Sequence, residues 1–384
     1  MHLARPVLAM LCIAGLMAAD PGVTAKELVL GQAAAMSGAA AGLGQGMNLG
    51  LRAWVQQTNA AGGIHGRQLK LVTADDAYDP EKAAEATETL IEESKVFALT
   101  GYVGTPTAKA AIPVLSEAKV PLIGAFTGAG LLRADAKGKA LPWVLNLRAS
   151  YDDETEMMVE RFTVDRGFKK IAVFYQNDAF GEAGLKGTEK ALKKRGLELV
   201  AKGTFERGTV AVKKGLADVM AGAPEAVVMV GPYKPIAVFL KEAKAAGLGA
   251  MFSTVSFVGT ENLIAEAGAE GEGVVITQVV PSPDDSSVVL VKEYQAALAA
   301  VDPAAKPGYI SLEGYATGRL LGLGLDKAGA EPSRQGLVAA IEGITNVDVG
   351  GMVLSFSATD HQGSDAVFLT RIKAGKAVPA SDLK

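Results

Sequence analysis

From residue 27 onward, short apolar runs alternate with stretches whose apolar residues recur at helical spacing. Residues 28–34 are short and apolar, as a buried strand is, and 46–60 place Met47, Leu51, Trp54 and Val55 on one helical face. Gly62 and Gly63 break that helix, and 68–74 is the next strand. A helix over 80–93 has Pro80 in its first turn and Asp79 as its N-cap. The apolar run 96–99, a helix over 106–118 and a strand at 120–123 continue the series. A second series begins after Asn146, with strands at 170–175, 198–202, 226–230, 251–255 and 273–277 and helices at 184–195, 210–220 and 236–246. Prolines within 277–283 mark a return between the series, followed by helical patterns at 288–300, 309–328 and 334–342. The tail, 351–356 and 367–373 around 360–363, reads as a hairpin. This alternation predicts an α/β fold: two doubly wound lobes, each a parallel sheet covered by helices.

One strand-to-helix junction stands out. Residues 100–108 run Thr-Gly-Tyr-Val-Gly-Thr-Pro-Thr-Ala, with glycines and threonines closing the strand and Pro106 opening the helix. Such a junction aims backbone N–H groups and hydroxyls at one point beside the positive end of a helix, which suits a carboxylate or another anion. Similar residues recur at Gly124-Ala125-Phe126-Thr127-Gly128 after the strand at 120–123. Two such junctions on neighbouring parallel strands make a cleft, and clefts in open α/β sheets lie beyond the carboxyl ends of the strands.

Composition narrows the class. A chain of 384 residues, 49% hydrophobic and 21% charged, has room for two domains. The net charge of −4, with no basic tract interleaved with aromatics, argues against nucleic acid and anionic membrane surfaces as partners. His2 and Arg5 precede an apolar run over 7–19 that is too short to span a bilayer and is flanked as a secretory leader is. Val23-Thr24-Ala25 offers a cleavage site giving a leader of residues 1–25, with an alternative cut nearer Ala19. The one cysteine, Cys12, lies inside this run and follows Leu11, where a lipid-attachment signal needs a small residue. The expectation is an exported, unanchored periplasmic protein without disulfides.

Catalytic and metal chemistry find little support. His65 and His361 lie in turns without ligand companions at metal spacing, so no metal is expected. Gly42-Leu43-Gly44-Gln45-Gly46 departs from the dinucleotide fingerprint at Met47, there is no phosphate loop, and no serine sits in a Gly-x-Ser-x-Gly elbow. No cofactor and no catalytic residue are expected. The acidic cluster Asp75, Asp76 and Asp79 is read chiefly as a capped turn, with a cation or hydrolase site as the weaker reading. Specificity is expected to lie in binding.

From about residue 27 to its end the chain resembles the periplasmic branched-chain amino-acid-binding proteins of ABC importers, the leucine/isoleucine/valine-binding type. The carriers are Ala35-Met36-Ser37-Gly38, Asn59-Ala60-Ala61-Gly62-Gly63-Ile64-His65-Gly66, Asp75-Asp76 with Asp79-Pro80, Ala179-Phe180-Gly181-Glu182, and residues 243–247. The resemblance implies a type I periplasmic binding fold with three hinge crossings, the first lobe from 26–146 and 280–348, the second from 147–279 and 349–384. It implies a carboxylate held by Thr105, with Thr107 beside it, and a second contact after the next strand. There the family's threonine falls on Gly128, so Thr127 is the shifted candidate, next to Phe126. Tyr233 and Phe180 match aromatic wall positions, and Leu43 stands where another aromatic is usual. The family's glutamate for a ligand ammonium falls on Ser256, before Phe257, and the nearest following acid is Glu261. The family's disulfide positions fall on Tyr78 and Gly104. The implied function is a monomeric solute-binding protein that delivers a small carboxylate-bearing molecule to an inner-membrane permease and ATPase. An amino acid is the family default, and the missing acid tilts the expectation towards aromatic or aliphatic carboxylates. The alternative is a ligand sensor on the same scaffold that signals to a partner protein.

Overall fold

The structure is a computed structural model and describes residues 20–383. In chain order the first series is β1 (Glu27–Ala34), α1 (Ala41–Ala60), β2 (Gln68–Asp75), α2 (Pro80–Glu92), β3 (Ala98–Thr100), α3 (Thr105–Glu117), β4 (Leu122–Ile123) and β5 (Val144–Leu145). The second comprises α4 (Tyr151–Glu160), β6 (Ile171–Gln176), α5 (Ala179–Lys193), β7 (Ala201–Phe205), α6 (Lys213–Ala221), β8 (Ala226–Val230), α7 (Tyr233–Ala245), β9 (Met251–Thr254), α8 (Thr260–Ala267) and β10 (Val275–Gln278). Then come α9 (Val289–Val301), α10 (Tyr309–Ala328), α11 (Arg334–Glu342), β11 (Val347–Asp348), β12 (Val353–Leu354), β13 (Phe368–Lys373) and β14 (Lys376–Pro379).

The first sheet has the order β2-β1-β3-β4-β5, parallel throughout. The second runs β14-β13-β10-β9-β8-β6-β7, parallel from β10 to β7 and antiparallel at β13 and β14. Without β13 and β14 the two sheets share one topology. Each reverses direction between its first and third strands, which is where an open α/β sheet forms its crevice. Both series are short buried strands joined by amphipathic helices, so both bury an apolar layer on each sheet face.

Beside β5, α8, β11 and β14, which the sequence reading did not include, three local readings differ from the sequence expectation. Helix α1 starts at Ala41 rather than at 46, because its early glycines allow close packing: a Cβ on Gly44 would overlap the Ala35 carbonyl. Helix α4 is an added element, started by a capping box in which Ser150 and Asp153 satisfy each other's backbone N–H groups. The expected tail hairpin does not form. Strand β12 pairs with β11, while β13 pairs with β10 and β14.

The lobe boundary moves for the same reason. Val349, Met352, Leu354 and Phe356 are buried with Leu290 and Ile344 in the first lobe's core, so the chain leaves that lobe after Phe356 and not at 349. Three segments, 146–150, 279–288 and 357–367, join the lobes, and the first and third pair at Asn146 and Gln362.

The leader expected over 1–25 falls outside the described residues up to residue 19. Residues 20–25 are built into the first lobe. The Val29 N–H donates to the Gly22 carbonyl (2.8 Å), Arg67 Nε to the Thr24 carbonyl (2.6 Å) and the Arg334 N–H to Asp20 Oδ2 (2.7 Å).

Candidate functional site

The carboxyl ends of the strands in both sheets face one another across the hinge. On the first lobe, the loops after β3 and β4 are stitched together: the Phe126 N–H donates to the Tyr102 carbonyl (2.7 Å) and the Gly104 N–H to the Phe126 carbonyl (3.2 Å). Gly104 adopts φ of 101°, where a Cβ would sit 2.5 Å from the Tyr78 ring, so only glycine fits this turn. Helix α3 then begins without a capping side chain. The stitching places Thr105 Oγ1 2.6 Å from Thr127 Oγ1, both fully buried, at the uncapped helix start. This is the pair of hydroxyls expected from the sequence to face an anion, Thr105 directly and Thr127 as the shifted candidate.

Thr107 is not part of it. Its hydroxyl donates back to the Val103 (2.5 Å) and Gly104 (2.9 Å) carbonyls and braces the loop. Gly128 is packed against α4. A Cβ there would lie 2.7 Å from the Tyr151 ring, and its carbonyl accepts the Tyr151 N–H (2.7 Å). The Tyr151 phenol faces Thr127 and the Gly128 backbone, and burial holds its pKa above the ordinary value. Tyr151 takes the space that a threonine at 128 would need.

The second lobe supplies an apolar wall. Phe257 is fully buried and meets Phe126 at 5.1 Å and Phe180 at 4.5 Å between ring centroids, with Tyr78 at 6.2 Å. Phe180, in the first turn of α5, also packs on Tyr151 at 5.4 Å. Tyr233 opens α7, and its phenol oxygen accepts the Gly42 N–H across the cleft (3.3 Å). Leu43 packs against Gly259. Arg207 of the second lobe donates to the Tyr78 carbonyl from Nε (3.0 Å) and Nη2 (2.5 Å), lies 3.6 Å from the centre of the Tyr78 ring, and pairs with Asp178 (2.8 Å). The lobes thus touch along the whole cleft. At its mouth a groove of about 550 Å³ opens between Lys109, Leu131, Glu182 and Lys186 and reaches Tyr151.

Ser256 belongs to a buried charge network. Arg148, in the first hinge segment and fully buried, donates from Nη2 to Glu154 Oε1 (2.7 Å) and to Ser256 Oγ, and from Nη1 to Glu313 (3.5 Å). Glu154 also accepts the Ser256 N–H (2.8 Å) and hydroxyl (3.1 Å) and the Thr277 hydroxyl (2.5 Å). Burial pushes Glu313 up to about 7 despite its arginine neighbour. The Arg148 guanidinium lies 5.3 Å from the Phe126 ring centre and 5.8 Å from that of Tyr151.

The acidic turn is structural as read. Asp79 caps α2 through the Glu81 and Lys82 N–H groups, and Asp75 accepts from Met36, Ser37 and Ala77. Asp76 is buried, which raises its pKa to about 7.

Sequence reasoning missed Tyr78, Arg148, Tyr151, Glu154 and Arg207. Arg148 carried a faint signal, a single cation in the apolar stretch 144–149; the others carried none.

Three comparisons place this geometry among known proteins. The profile of the family described as periplasmic binding protein matches residues 27–377. The crystal structure of a possible leucine/isoleucine/valine-binding protein from Rhodopirellula baltica is 36% identical, covering 96% of this chain and 99% of that one with a TM-score of 0.88. That of a substrate-binding periplasmic protein from Ralstonia solanacearum is 28% identical over 90% and 98%, with a TM-score of 0.84. A leucine-, isoleucine-, valine-, threonine- and alanine-binding protein from Pseudomonas aeruginosa is 24% identical over 85% of each chain. Two lobes of shared topology, a cleft at their strand ends and a profile match over nearly the whole chain lead to one conclusion: this chain belongs to the periplasmic binding protein family, type I, with leucine/isoleucine/valine-binding proteins among its relatives.

Proposed function

We propose that this protein is the solute-binding component of an ABC importer, clamping a small carboxylate-bearing ligand between its lobes without turning it over. The observation that carries the reading is the Thr105–Thr127 hydroxyl pair at the uncapped start of α3, faced by an apolar wall from the opposite lobe. Buried hydroxyls beside a helix N-terminus stabilise an anion, and the phenylalanines exclude water from it. Tyr233, Leu43 and Arg207 complete the closure. The names of the relatives support an amino acid or a related carboxylate as cargo. As a monomer the closed form would present both lobes to an inner-membrane permease and its ATPase.

Export through a cleavable leader is part of this proposal. The contacts made by residues 20–25 favour the cut near Ala19, since a cut after Ala25 would remove them. The test is a thermal-shift screen of amino acids and carboxylic acids on protein unfolded, dialysed and refolded to strip its ligand. Selective stabilisation by a carboxylate supports the reading, and stabilisation by none of them refutes it.

A further inference from the structure

A buried ammonium needs acceptors, a facing acid being the strongest. Here the position implied for that acid is Ser256, and the group beside it is a cation: Arg148 Nη2 donates to Ser256 Oγ. Glu154, which lies against Ser256, is fully engaged. Its Oε1 accepts from Arg148 and the Ser256 hydroxyl, and its Oε2 from the Ser256 N–H and the Thr277 hydroxyl. Four donors fill the roughly four lone-pair positions of a carboxylate. Glu313 faces Arg148 as well, 3.5 Å from its Nη1.

The donors tell the complementary story. Among the described residues, Arg148 Nε and the Tyr151 hydroxyl are buried without a hydrogen-bonded partner, though the phenol faces Thr127, and buried donors rarely stay so. The Arg148 guanidinium lies over the Phe126 and Tyr151 rings, Phe257 meets Phe126, and Phe180 and Tyr78 pack on Phe257. A ring entering between Phe126 and Phe257 would keep offset and tilted aromatic contacts on both sides.

We infer that Arg148 is the specificity-determining residue of this cleft, and that it selects aromatic carboxylates carrying no ammonium. The inference rests on the carboxylate-clamp reading and adds to it the exclusion of amino acids.

Titration calorimetry on the ligand-stripped mature protein tests it with 3-phenylpropanoate against phenylalanine and 4-methylpentanoate against leucine. Each pair differs only by the ammonium. Phenylpropanoate is expected to bind at least about tenfold more tightly than phenylalanine and more tightly than 4-methylpentanoate. If phenylalanine or leucine binds as well as its deaminated partner, the inference falls while the clamp reading stands. If 4-methylpentanoate matches phenylpropanoate, the aromatic part falls. If none of the four binds, both readings fall together. Arg148→Met should narrow the phenylpropanoate-to-phenylalanine ratio. Because that variant removes a buried charge and can fail to fold, Ser256→Glu provides the second readout. It should shift the ratio towards phenylalanine, and an unchanged ratio in a folded Ser256→Glu protein overturns the assignment to this subsite.

Discussion

The loop after β4 and the loop after β9 occupy the same place in their respective sheets and end in different chemistry. Each carries a phenylalanine, Phe126 and Phe257, and the two rings meet across the cleft. Each also carries a hydroxyl beside that phenylalanine. Thr127 meets the Thr105 hydroxyl, the Ala129 N–H and the Tyr151 phenol, whereas Ser256 is held by a buried arginine and a buried glutamate. One backbone device therefore serves two purposes. The first lobe's hydroxyl stays among uncharged groups, and the second lobe's is drawn into an ion-paired network.

Breaking that internal neutralisation should have the largest effect. Glu154→Ala leaves Arg148 with only the distant Glu313 and strands the Ser256 N–H. The expected loss is about 3–5 kcal/mol, read as a lowered urea midpoint with an unchanged slope. A loss below about 1 kcal/mol would contradict a buried network here.

The contrast between neighbouring threonines comes next. Thr105→Ala should weaken ligand binding by about 10- to 100-fold, as expected for a lost hydrogen bond to a charged group. Thr107→Ala, whose hydroxyl is tied to the loop carbonyls, should change affinity by less than about twofold while lowering the melting temperature. Equal effects of the two on affinity would erase the distinction drawn between them.

A smaller effect is expected from the contact that ties the lobes together at their rim. Arg207→Ala removes the cation–π contact with Tyr78 and both bonds to its carbonyl, about 1–2 kcal/mol in favour of closure. Solution scattering of the ligand-free variant should show a larger radius of gyration than the parent protein. An identical profile would mean that the latch does not govern closure.

A pH dependence is expected as well. Burial lifts Asp76 from 3.8 to about 7, so between those values the folded protein holds a proton that the unfolded chain has lost. Its contribution to stability is therefore most favourable at low pH and declines as pH rises through that window. Asp76→Asn should flatten the fall in melting temperature between pH 5 and 7.5 (about 5–7.5 as the practical range) relative to the parent. A slope unaltered by the substitution would assign the dependence to other groups.

What could be read from the chain before its fold follows from how local each signal is. The strand–glycine–proline–helix order around Thr105 lies within a few residues, so that junction and the doubly wound alternation were legible. The charge network was not, because Arg148 meets Ser256 108 residues away and Glu313 165 residues away. The tail was misread for a related reason. Alternation marks a segment as a strand but does not name its partner, and β12 found β11 rather than β13. The lobe boundary followed that partner.

Phe126 and Phe257 come from different lobes, and with Phe180 they are almost wholly buried against one another. Closing the lobes therefore takes some of the protein's own aromatic surface out of water along with the ligand's. The heat-capacity change of binding with closure should be more negative than the ligand's apolar area alone implies.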